Sequence, residues 1–266
     1  MENNTFAATY KEMRTLFFLI SVLLSSVFAY SQDDNNFKDN NPIVNIEMIF
    51  VRGGSFIMGC TSEQGNDCFP DEEPAHEVIV NSFYIAKYEV TQELWVAVMG
   101  ENPSHFKGAK LPVENVSWSD VQVFIRKLNE LTGKKYRLPT EAEWEFAASG
   151  GNKSTGKKYC GRNVVNNVAW YSQNSQNKTH PVGLKTPNEL GIYDMSGNVW
   201  EWCSDWYAEY GSEPQTNPKG AAKSDYRVIR GGSYNIFAKY VRVTTRGSTT
   251  DARYYNIGFR LVSDSK

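Results

Sequence analysis

Apolar residues are concentrated in two stretches near the beginning of the chain, residues 46–58 and 78–90. Both stretches are rich in Ile, Val, Phe and Tyr, the residue types that favour β-strands, and a polar loop that contains proline separates them. Two further strand-like stretches, Tyr226–Arg230 and Asn256–Val262, lie near the end of the chain. The pattern therefore predicts strands from both halves of the sequence.

Three helices are predicted between these strands. Thr91 has the residue type of a helix N-cap and precedes the first helix, around Gln92–Met99. The second helix begins at Ser117 or Ser119 and ends at Gly133, because apolar residues recur at helical spacing in Val121, Phe124, Ile125, Leu128 and Leu131.

A capping box formed by Thr140 and Glu143 begins the third helix, which is predicted to run until Gly150. From residue 150 to residue 230 the chain is rich in Gly, Asn, Ser and Pro, the residue types of loops and turns. The predicted fold class is therefore α+β, with two or three helices packed on an irregular, loop-rich β framework.

The most apolar segment, residues 16–29, is shorter than the roughly 20 residues that a membrane-spanning helix needs. Lys11 and Arg14 precede it, and small residues follow it at Ala29-Tyr30-Ser31. This order predicts a signal peptide over residues 1–31, with an uncleaved anchor helix as the alternative. Cleavage would leave a polar tail over residues 32–42 and one domain over residues 43–266, without a membrane span. The expected location is periplasmic or extracellular.

The charge balance excludes a broad class of partners. The chain has 28 Lys and Arg residues against 30 Asp and Glu residues, which gives a formal net charge of −2. A nucleic-acid binder that relies on a basic face is therefore not expected. Hydrophobic residues make up 41% of the chain and aromatic residues 14%, enough for a folded domain with a large core.

All four cysteines, Cys60, Cys68, Cys160 and Cys203, follow the predicted signal peptide. An even number of cysteines in an oxidising compartment favours disulfides. Cys60 and Cys68 flank a short polar loop and are predicted to pair, which leaves Cys160 to pair with Cys203. Free buried thiols and a zinc site are the alternatives, although neither a C-x-x-C spacing nor a histidine cluster supports zinc.

Three motifs carry a resemblance to a known family. They are Tyr136–Ala148 (YRLPTEAEWEFAA), Leu190–Trp202 (LGIYDMSGNVWEW), and Arg230–Ser233 (RGGS) followed by Asn256–Leu261 (NIGFRL). In this order they closely resemble the sulfatase-modifying-factor family, whose archetype is the formylglycine-generating enzyme. The resemblance spans about residues 43–263 and implies a variant of the C-type-lectin fold with little regular secondary structure.

The archetype oxidises a sulfatase cysteine to formylglycine with copper held by two cysteines that closely follow its RGGS motif. In this chain the corresponding segment, residues 234–242, reads YNIFAKYVR and contains no cysteine. Because copper(I) needs soft thiolate or thioether ligands, copper and the oxidase activity are not expected here. A second branch of the family uses iron held by histidines, but the three histidines of this chain are far apart in sequence.

The resemblance also implies a calcium site in the second motif. The positions that match the ligands of the archetype are Asp194, Gly197, Val199 and Glu201, with Gly197 and Val199 contributing backbone carbonyl oxygens. Carboxylate and carbonyl oxygens are the ligands that calcium prefers. The alternative is a turn that Asp194 and Asn198 close by hydrogen bonds to the backbone.

Aromatic residues and arginines suggest a candidate binding groove formed by Trp206, Ser233, Tyr234, Arg242 and Arg246. The alternative is that the arginines pair with carboxylates and cover apolar surface with their alkyl stems, and that Trp206 belongs to the core. The predicted function is that of an exported family member without oxidase activity, a protein- or glycan-interaction module of a bacterial cell envelope. The alternative is a formylglycine-generating enzyme that uses a route without the usual cysteine pair.

Overall fold

The computed structural model of the chain describes residues 36–38, 44 and 46–265. The signal peptide predicted over residues 1–31 lies outside the described residues. Within the described part, no helix has the length and apolar character that crossing a membrane requires. Phe37 and Lys38, which belong to the predicted polar tail, form a strand, so the β-structure extends into this tail.

The described strands form three sheets. A five-stranded antiparallel sheet contains, in spatial order, β1 (Phe37–Lys38), β2 (Glu47–Val51), β5 (Phe83–Ala86), β12 (Val262–Asp264) and β6 (Tyr136–Arg137). A four-stranded sheet contains β10 (Arg246–Thr249), β9 (Arg227–Arg230), β7 (Trp200–Trp206) and β11 (Ile257–Gly258). A three-stranded sheet contains β3 (Gly54–Met58), β4 (His76–Val80) and β8 (Gln215–Thr216).

Both predicted apolar stretches are divided between two of these sheets. Residues 46–58 contain β2 and β3, and residues 78–90 contain β4 and β5. The first stretch changes sheet at Gly53, whose N–H donates to Ser82 Oγ at 2.9 Å. A Cβ at Gly53 would lie 2.5 Å from the carbonyl oxygen of Val80, so the close approach of the two chain segments requires glycine here.

Four α-helices are present in the described part: α1 (Gln92–Met99), α2 (Trp118–Thr132), α3 (Glu141–Ala148) and α4 (Val165–Val168). Short 3₁₀ turns occupy Ser62–Gln64, Pro70–Glu72, Gly151–Lys153 and Ala238–Tyr240. The predicted helix starts are confirmed, because the side chains of Thr91, Ser117 and Thr140 each accept an N–H of the first turn. Gly133 ends α2 with a positive φ, also as predicted.

Two large apolar clusters form the core. In the first, the ring of Phe124 from α2 stacks on Trp95 from α1 with centroids 5.0 Å apart, and Trp200 and Trp202 belong to the same cluster. The second cluster surrounds Trp144 and Phe146 of α3. The mixed, loop-rich α+β class predicted from the sequence is confirmed.

The cysteines follow the prediction only in part. Cys60 and Cys68 form a disulfide, as predicted. Cys160 and Cys203 are free thiols, so the predicted bond between them is wrong. Both thiols are buried among the apolar side chains of the second cluster, where a cysteine packs as a small hydrophobic residue. The alternative of free buried thiols is therefore the correct one for this pair.

Candidate functional site

The arginines predicted to line a binding groove lie inside the molecule. Arg242 is fully buried, and its guanidinium binds both carboxylate oxygens of Glu72, with 2.9 Å between Nη1 and Oε2. Arg246 binds Glu141 through two hydrogen bonds of 2.7 and 2.8 Å. Burial alone would lower the pKa of Arg246, but the Glu141 carboxylate raises it. Both arginines are therefore fixed cations of the interior.

The five predicted groove residues do not share one groove. Trp206 and Arg246 line a cavity of about 190 Å³ beside β7, whereas Ser233 and Tyr234 are not part of its lining. Arg242 is too deeply buried to reach a ligand at either place. The prediction of one shared groove is corrected, because residues that lie in or near the same sequence motifs do not lie together at the surface of the protein.

Aromatic side chains from three loops instead meet beside Ser233. The rings of His105 and Tyr255 stack with centroids 4.6 Å apart, and His105 also contacts Phe106 edge to face. Phe106 in turn meets Tyr234 at 5.5 Å. Phe237 and Tyr255 are 65% and 54% exposed, unusually high values for large apolar side chains. Phe237 follows the buried Tyr234 by three positions in the same loop, and the five residues His105, Phe106, Tyr234, Phe237 and Tyr255 are called the aromatic surface.

Polar side chains connect two of these loops. Ser233 Oγ donates to Asn235 Oδ1 at 2.8 Å, and Asn256 Nδ2 donates to both oxygens at 3.3 Å. Ser233 is fully buried, so its hydroxyl is not open to an incoming substrate. Its role in this arrangement is to join the loop that carries Phe237 to the loop that carries Tyr255.

A buried carboxylate supports the third loop. Glu114 is fully buried, and its Oε1 accepts the N–H of Phe106 at 2.9 Å, while Ser104 Oγ accepts the N–H of Glu114 at 3.2 Å. Glu114 Oε2 has no hydrogen-bond partner. Burial raises the pKa of this carboxyl to about 7. Glu114 therefore positions the loop that presents His105 and Phe106.

The segment after the RGGS motif packs through apolar side chains. Val241 is buried with Val168 and Tyr171, and Ile236 packs against the same cluster. The two free thiols of the described chain lie elsewhere, and burial raises the pKa of both Cys160 and Cys203. Because a thiolate is the form that binds metals and attacks disulfides, neither cysteine is suited to redox chemistry at neutral pH.

The calcium motif forms a tight turn that leads into β7. Asp194 and Asn198 have positive φ angles of 59° and 60°. A Cβ at Gly197 would lie 2.2 Å from the carbonyl oxygen of Trp170, so the turn requires glycine at this position. Asp194 Oδ2 accepts the N–H of Gly183 at 2.7 Å. The N–H of His180 likewise donates to Asn198 Oδ1 at 3.0 Å, so these side chains attach the turn to the segment at residues 180–183.

The carboxylate of Glu201 does not fit a calcium ion in this arrangement. Arg260 binds both of its oxygens, at 2.6 and 2.7 Å, and the indole N–H of Trp144 donates to one of them at 2.7 Å. No group of three or more His, Cys, Asp or Glu side chains in the described residues is arranged to hold a metal ion. A calcium ion bound by this carboxylate would have to displace Arg260, so this arrangement weighs against the predicted calcium site.

One acidic residue of this region was missed by sequence reasoning. Glu89 is buried beside the turn, and its Oε2 accepts a hydrogen bond of 2.7 Å from Asn198 Nδ2. Burial raises the pKa of Glu89, and the nearby charges of Asp194 and Glu201 raise it further. Glu89 lies more than a hundred positions before Asn198, and no local pattern marks it as a member of the turn.

The domain family can be assigned from comparison with known proteins. The model of the sulfatase-modifying factor enzyme 1-like domain matches residues 34–265. The chain belongs to this family. The resemblance carried by the three sequence motifs is thereby confirmed. Membership shows the ancestry of the domain, whereas its activity depends on the residues at the site.

Two relatives show the breadth of functions within the family. The chaperone protein LppX of Paenibacillus barcinonensis is 35% identical over 266 residues, which cover 81% of this chain and 87% of LppX. The formylglycine-generating enzyme of Streptomyces coelicolor is 35% identical over 199 residues, which cover 64% of this chain and 61% of that enzyme. Equal identity to a chaperone and to an oxidase means that identity alone does not choose between them.

Solved structures of the family share the fold. Treponema denticola variable protein 1 has a TM-score of 0.79 and 33% identity, covering 87% of this chain and 99% of its own. PvdO of Pseudomonas aeruginosa has a TM-score of 0.75 and 29% identity, and the match covers 88% of this chain and 100% of the PvdO chain. The loop-rich, C-type-lectin-like fold implied by the sequence resemblance is confirmed.

Within this family fold, sequence reasoning found Tyr234 but missed the other four residues of the aromatic surface. Phe237 follows the RGGS motif, and Tyr255 precedes the NIGFRL motif. Their position in loops beside these motifs was the sequence feature that could have marked them as binding residues. His105 and Phe106 come from a loop more than a hundred residues earlier. Only the folded chain shows that they join the same surface.

Proposed function

We propose that this protein is an exported family member that binds another protein through the aromatic surface and does not generate formylglycine. The observation that carries the proposal is the exposure of Phe237, on the thiol-free segment after the RGGS motif, and of Tyr255, in the loop that Asn256 connects to Ser233. Large exposed aromatic side chains that are grouped together are typical of interaction sites. A glycan is the second class of ligand, since aromatic rings also stack on sugars.

Two further observations support export and a protein ligand. The disulfide between Cys60 and Cys68 is of the kind that persists in oxidising compartments such as the periplasm or the cell exterior. LppX, a relative that aligns over most of both chains, is named a chaperone, and a chaperone acts on other proteins. In this proposal the protein is a binding module of the bacterial envelope that needs neither copper nor another redox cofactor.

The alternative function is oxidation of a sulfatase cysteine, which the formylglycine-generating relatives support. The folded segment weighs against it in two ways. The positions after the RGGS motif hold apolar residues such as Ile236 and Val241, which pack into a core cluster. Ser233 is buried and bonded to Asn235, so it offers no free hydroxyl in place of a thiol.

The energetic case for binding rests on the apolar area that a partner would cover. Burying one large apolar side chain contributes about 1.5–3 kcal/mol. Phe237 and Tyr255 are both available for such burial, and the contacts of His105 with Phe106 and Tyr255 hold the surface in one arrangement. A surface that is already arranged loses little conformational entropy when a partner binds.

The test has a binding arm and a catalytic arm. In the first, immobilised protein captures envelope proteins from its own source, and the variants Phe237→Ser and Tyr255→Ser are compared with Leu184→Ser. Leu184 is a matched control because it is 60% exposed and lies outside the aromatic surface. We expect the first two variants to lose specific capture and the control to keep it. Unchanged capture by all three variants would refute the proposed surface.

In the catalytic arm, the copper-treated protein is incubated with a sulfatase-type cysteine peptide, and an active formylglycine-generating enzyme serves as the positive control. We expect the peptide mass to stay unchanged with this protein. Conversion of the peptide would favour the alternative function and would direct attention to Cys203 or Cys160 as replacement thiols.

A further inference from the structure

Asp205 in β7 is a buried carboxylate that Arg227 influences electrostatically but does not contact in an ion pair. Asp205 is only 3% exposed, and its Oδ2 accepts hydrogen bonds from the Glu141 N–H at 3.1 Å and the Ser204 hydroxyl at 2.8 Å. No Lys, Arg or His of the described residues forms an ion pair with Asp205. By contrast, the buried carboxylates of Glu72, Glu141, Glu145 and Glu201 each pair with a buried arginine.

Asp205 lines the cavity of about 190 Å³ that also contains Trp206. The backbone of Gly220 lines the cavity and packs closely against this residue, because a Cβ at Gly220 would lie 2.7 Å from both Asp205 Cβ and the Trp206 carbonyl oxygen. None of the lining residues belongs to the aromatic surface, so the cavity is a separate place on the molecule.

The charges that line this cavity do not balance. Arg246 is matched by Glu141, with which it shares two hydrogen bonds, and this leaves the carboxylates of Asp205 and Glu209 in excess. His76 also lines the cavity, and the contact of its Nδ1 with the Pro74 carbonyl oxygen makes Nδ1 the donor and leaves Nε2 as an acceptor. The polar groups therefore favour a ligand that is positively charged and donates hydrogen bonds.

The pKa of Asp205 is consistent with this excess of negative charge in the cavity. Burial raises the pKa of Asp205 to about 7, and the neighbouring Glu141 carboxylate contributes to this rise. An ionised carboxylate in this position is costly without a counter-charge, and a bound cation would supply one.

We propose that this cavity binds a primary ammonium group at the end of an alkyl chain, as in a lysine side chain of a partner protein. Oδ2 of Asp205 already accepts two bonds from the protein, and among the described residues no donor contacts Oδ1. One free oxygen suits the point-like donor of an ammonium group better than the planar, two-pronged fork of a guanidinium group. Apolar atoms of Met58, Ala142 and Trp206 line the cavity and can pack against the alkyl chain.

The proposal does not depend on the aromatic surface, so its test is separate. Nα-acetyl-lysine amide is titrated into the whole mature protein, and binding is followed by calorimetry and by tryptophan fluorescence. Nα-acetyl-norleucine amide, which has a similar chain without the charge, and Nα-acetyl-arginine amide are titrated in parallel. We expect the lysine probe to bind at least tenfold more tightly than either comparison compound. Equal affinity for the lysine and norleucine probes would overturn the proposal.

The variant Asp205→Asn keeps the shape and the hydrogen-bond acceptor but removes the charge, and it should weaken binding of the lysine probe at least tenfold. Asp264→Asn is the matched control, because Asp264 is exposed and does not line this cavity. Glu209→Gln, an exposed variant at the cavity mouth, should weaken binding about threefold and covers the case in which Asp205→Asn does not fold. Unchanged affinity in Asp205→Asn, or in Glu209→Gln where only that variant folds, contradicts the ammonium site.

Discussion

Arg260 holds the carboxylate of Glu201 by two hydrogen bonds, from Nε to Oε2 at 2.7 Å and from Nη2 to Oε1 at 2.6 Å. Neither side chain is exposed, and Trp144 donates a third hydrogen bond to the same carboxylate. The three residues come from the three sequence motifs, and Glu201 lies 57 positions after Trp144 and 59 positions before Arg260. One buried carboxylate thus joins the motifs that identify the family.

The first prediction concerns this carboxylate. Glu201→Gln should lower the free energy of unfolding by about 3–5 kcal/mol, because it leaves the buried charge of Arg260 without its main partner. Denaturant unfolding followed by tryptophan fluorescence measures the change. Glu93→Gln, which breaks the exposed pair with Lys110, is the control and should cost about 1 kcal/mol or less. A similar, small loss in both variants would show that the buried pair adds little.

The local parts of the fold could be predicted from the sequence because their causes are local. Ser117 caps α2 and Gly133 ends it, and each acts on backbone groups within four positions in the chain. The disulfide between Cys60 and Cys68 also closes a short loop. Features of this kind depend on neighbours in sequence, so a single chain contains enough information to identify them.

The distant parts could not be predicted in this way. Arg242 is paired with Glu72, which lies 170 positions away, and nothing in either local sequence indicates the other. Without that partner, Arg242 resembled a free surface cation near the third motif. The aromatic surface could not be predicted for the same reason, since Phe106 and Tyr234 meet only after the chain folds. The sequence indicates helices and strands, but it does not show which distant residues pair with each other across the core.

The second prediction concerns the thiols. Protein denatured without reductant should contain two titratable thiols, from Cys160 and Cys203, while Cys60 and Cys68 stay bonded. The native protein should react far more slowly with a thiol reagent, because burial raises the pKa of both free cysteines and shields them. Absence of thiols after denaturation would show a second disulfide, and four thiols would show that the first does not form.

The third prediction concerns calcium. An ion bound only to the folded state at a hundred times its Kd would stabilise the protein by about 2.7 kcal/mol, a rise in Tm of several degrees. Because Arg260 already occupies both oxygens of Glu201, we expect the Tm to differ by less than about 2 °C between calcium and a chelator. Asp194→Gly, which removes the ligand and tolerates the positive φ, is tested in parallel, and a larger calcium-dependent rise that this variant abolishes would establish the calcium site predicted from the sequence.

The fourth prediction concerns the pH dependence of stability at Asp205. In the folded protein, burial and the nearby carboxylates of Glu141 and Glu143 together raise the pKa of Asp205 to about 7, whereas the unfolded chain has the ordinary aspartate value of about 3.9. Between these two values the folded state binds more protons than the unfolded state. The contribution of Asp205 to the free energy of unfolding therefore falls as the pH rises through this window, and it stays low above pH 7.

Asp205→Asn isolates this effect, because the other titrating groups remain in both proteins and cancel when the two are compared. The free energy of unfolding of the wild type minus that of Asp205→Asn should decrease from pH 5 to pH 7, by at most about 1.4 kcal/mol per pH unit. Denaturant unfolding at four or five pH values measures the difference. A difference that rises with pH would mean that Asp205 is ionised and stabilised in the folded state, with Arg227 as the nearby cation.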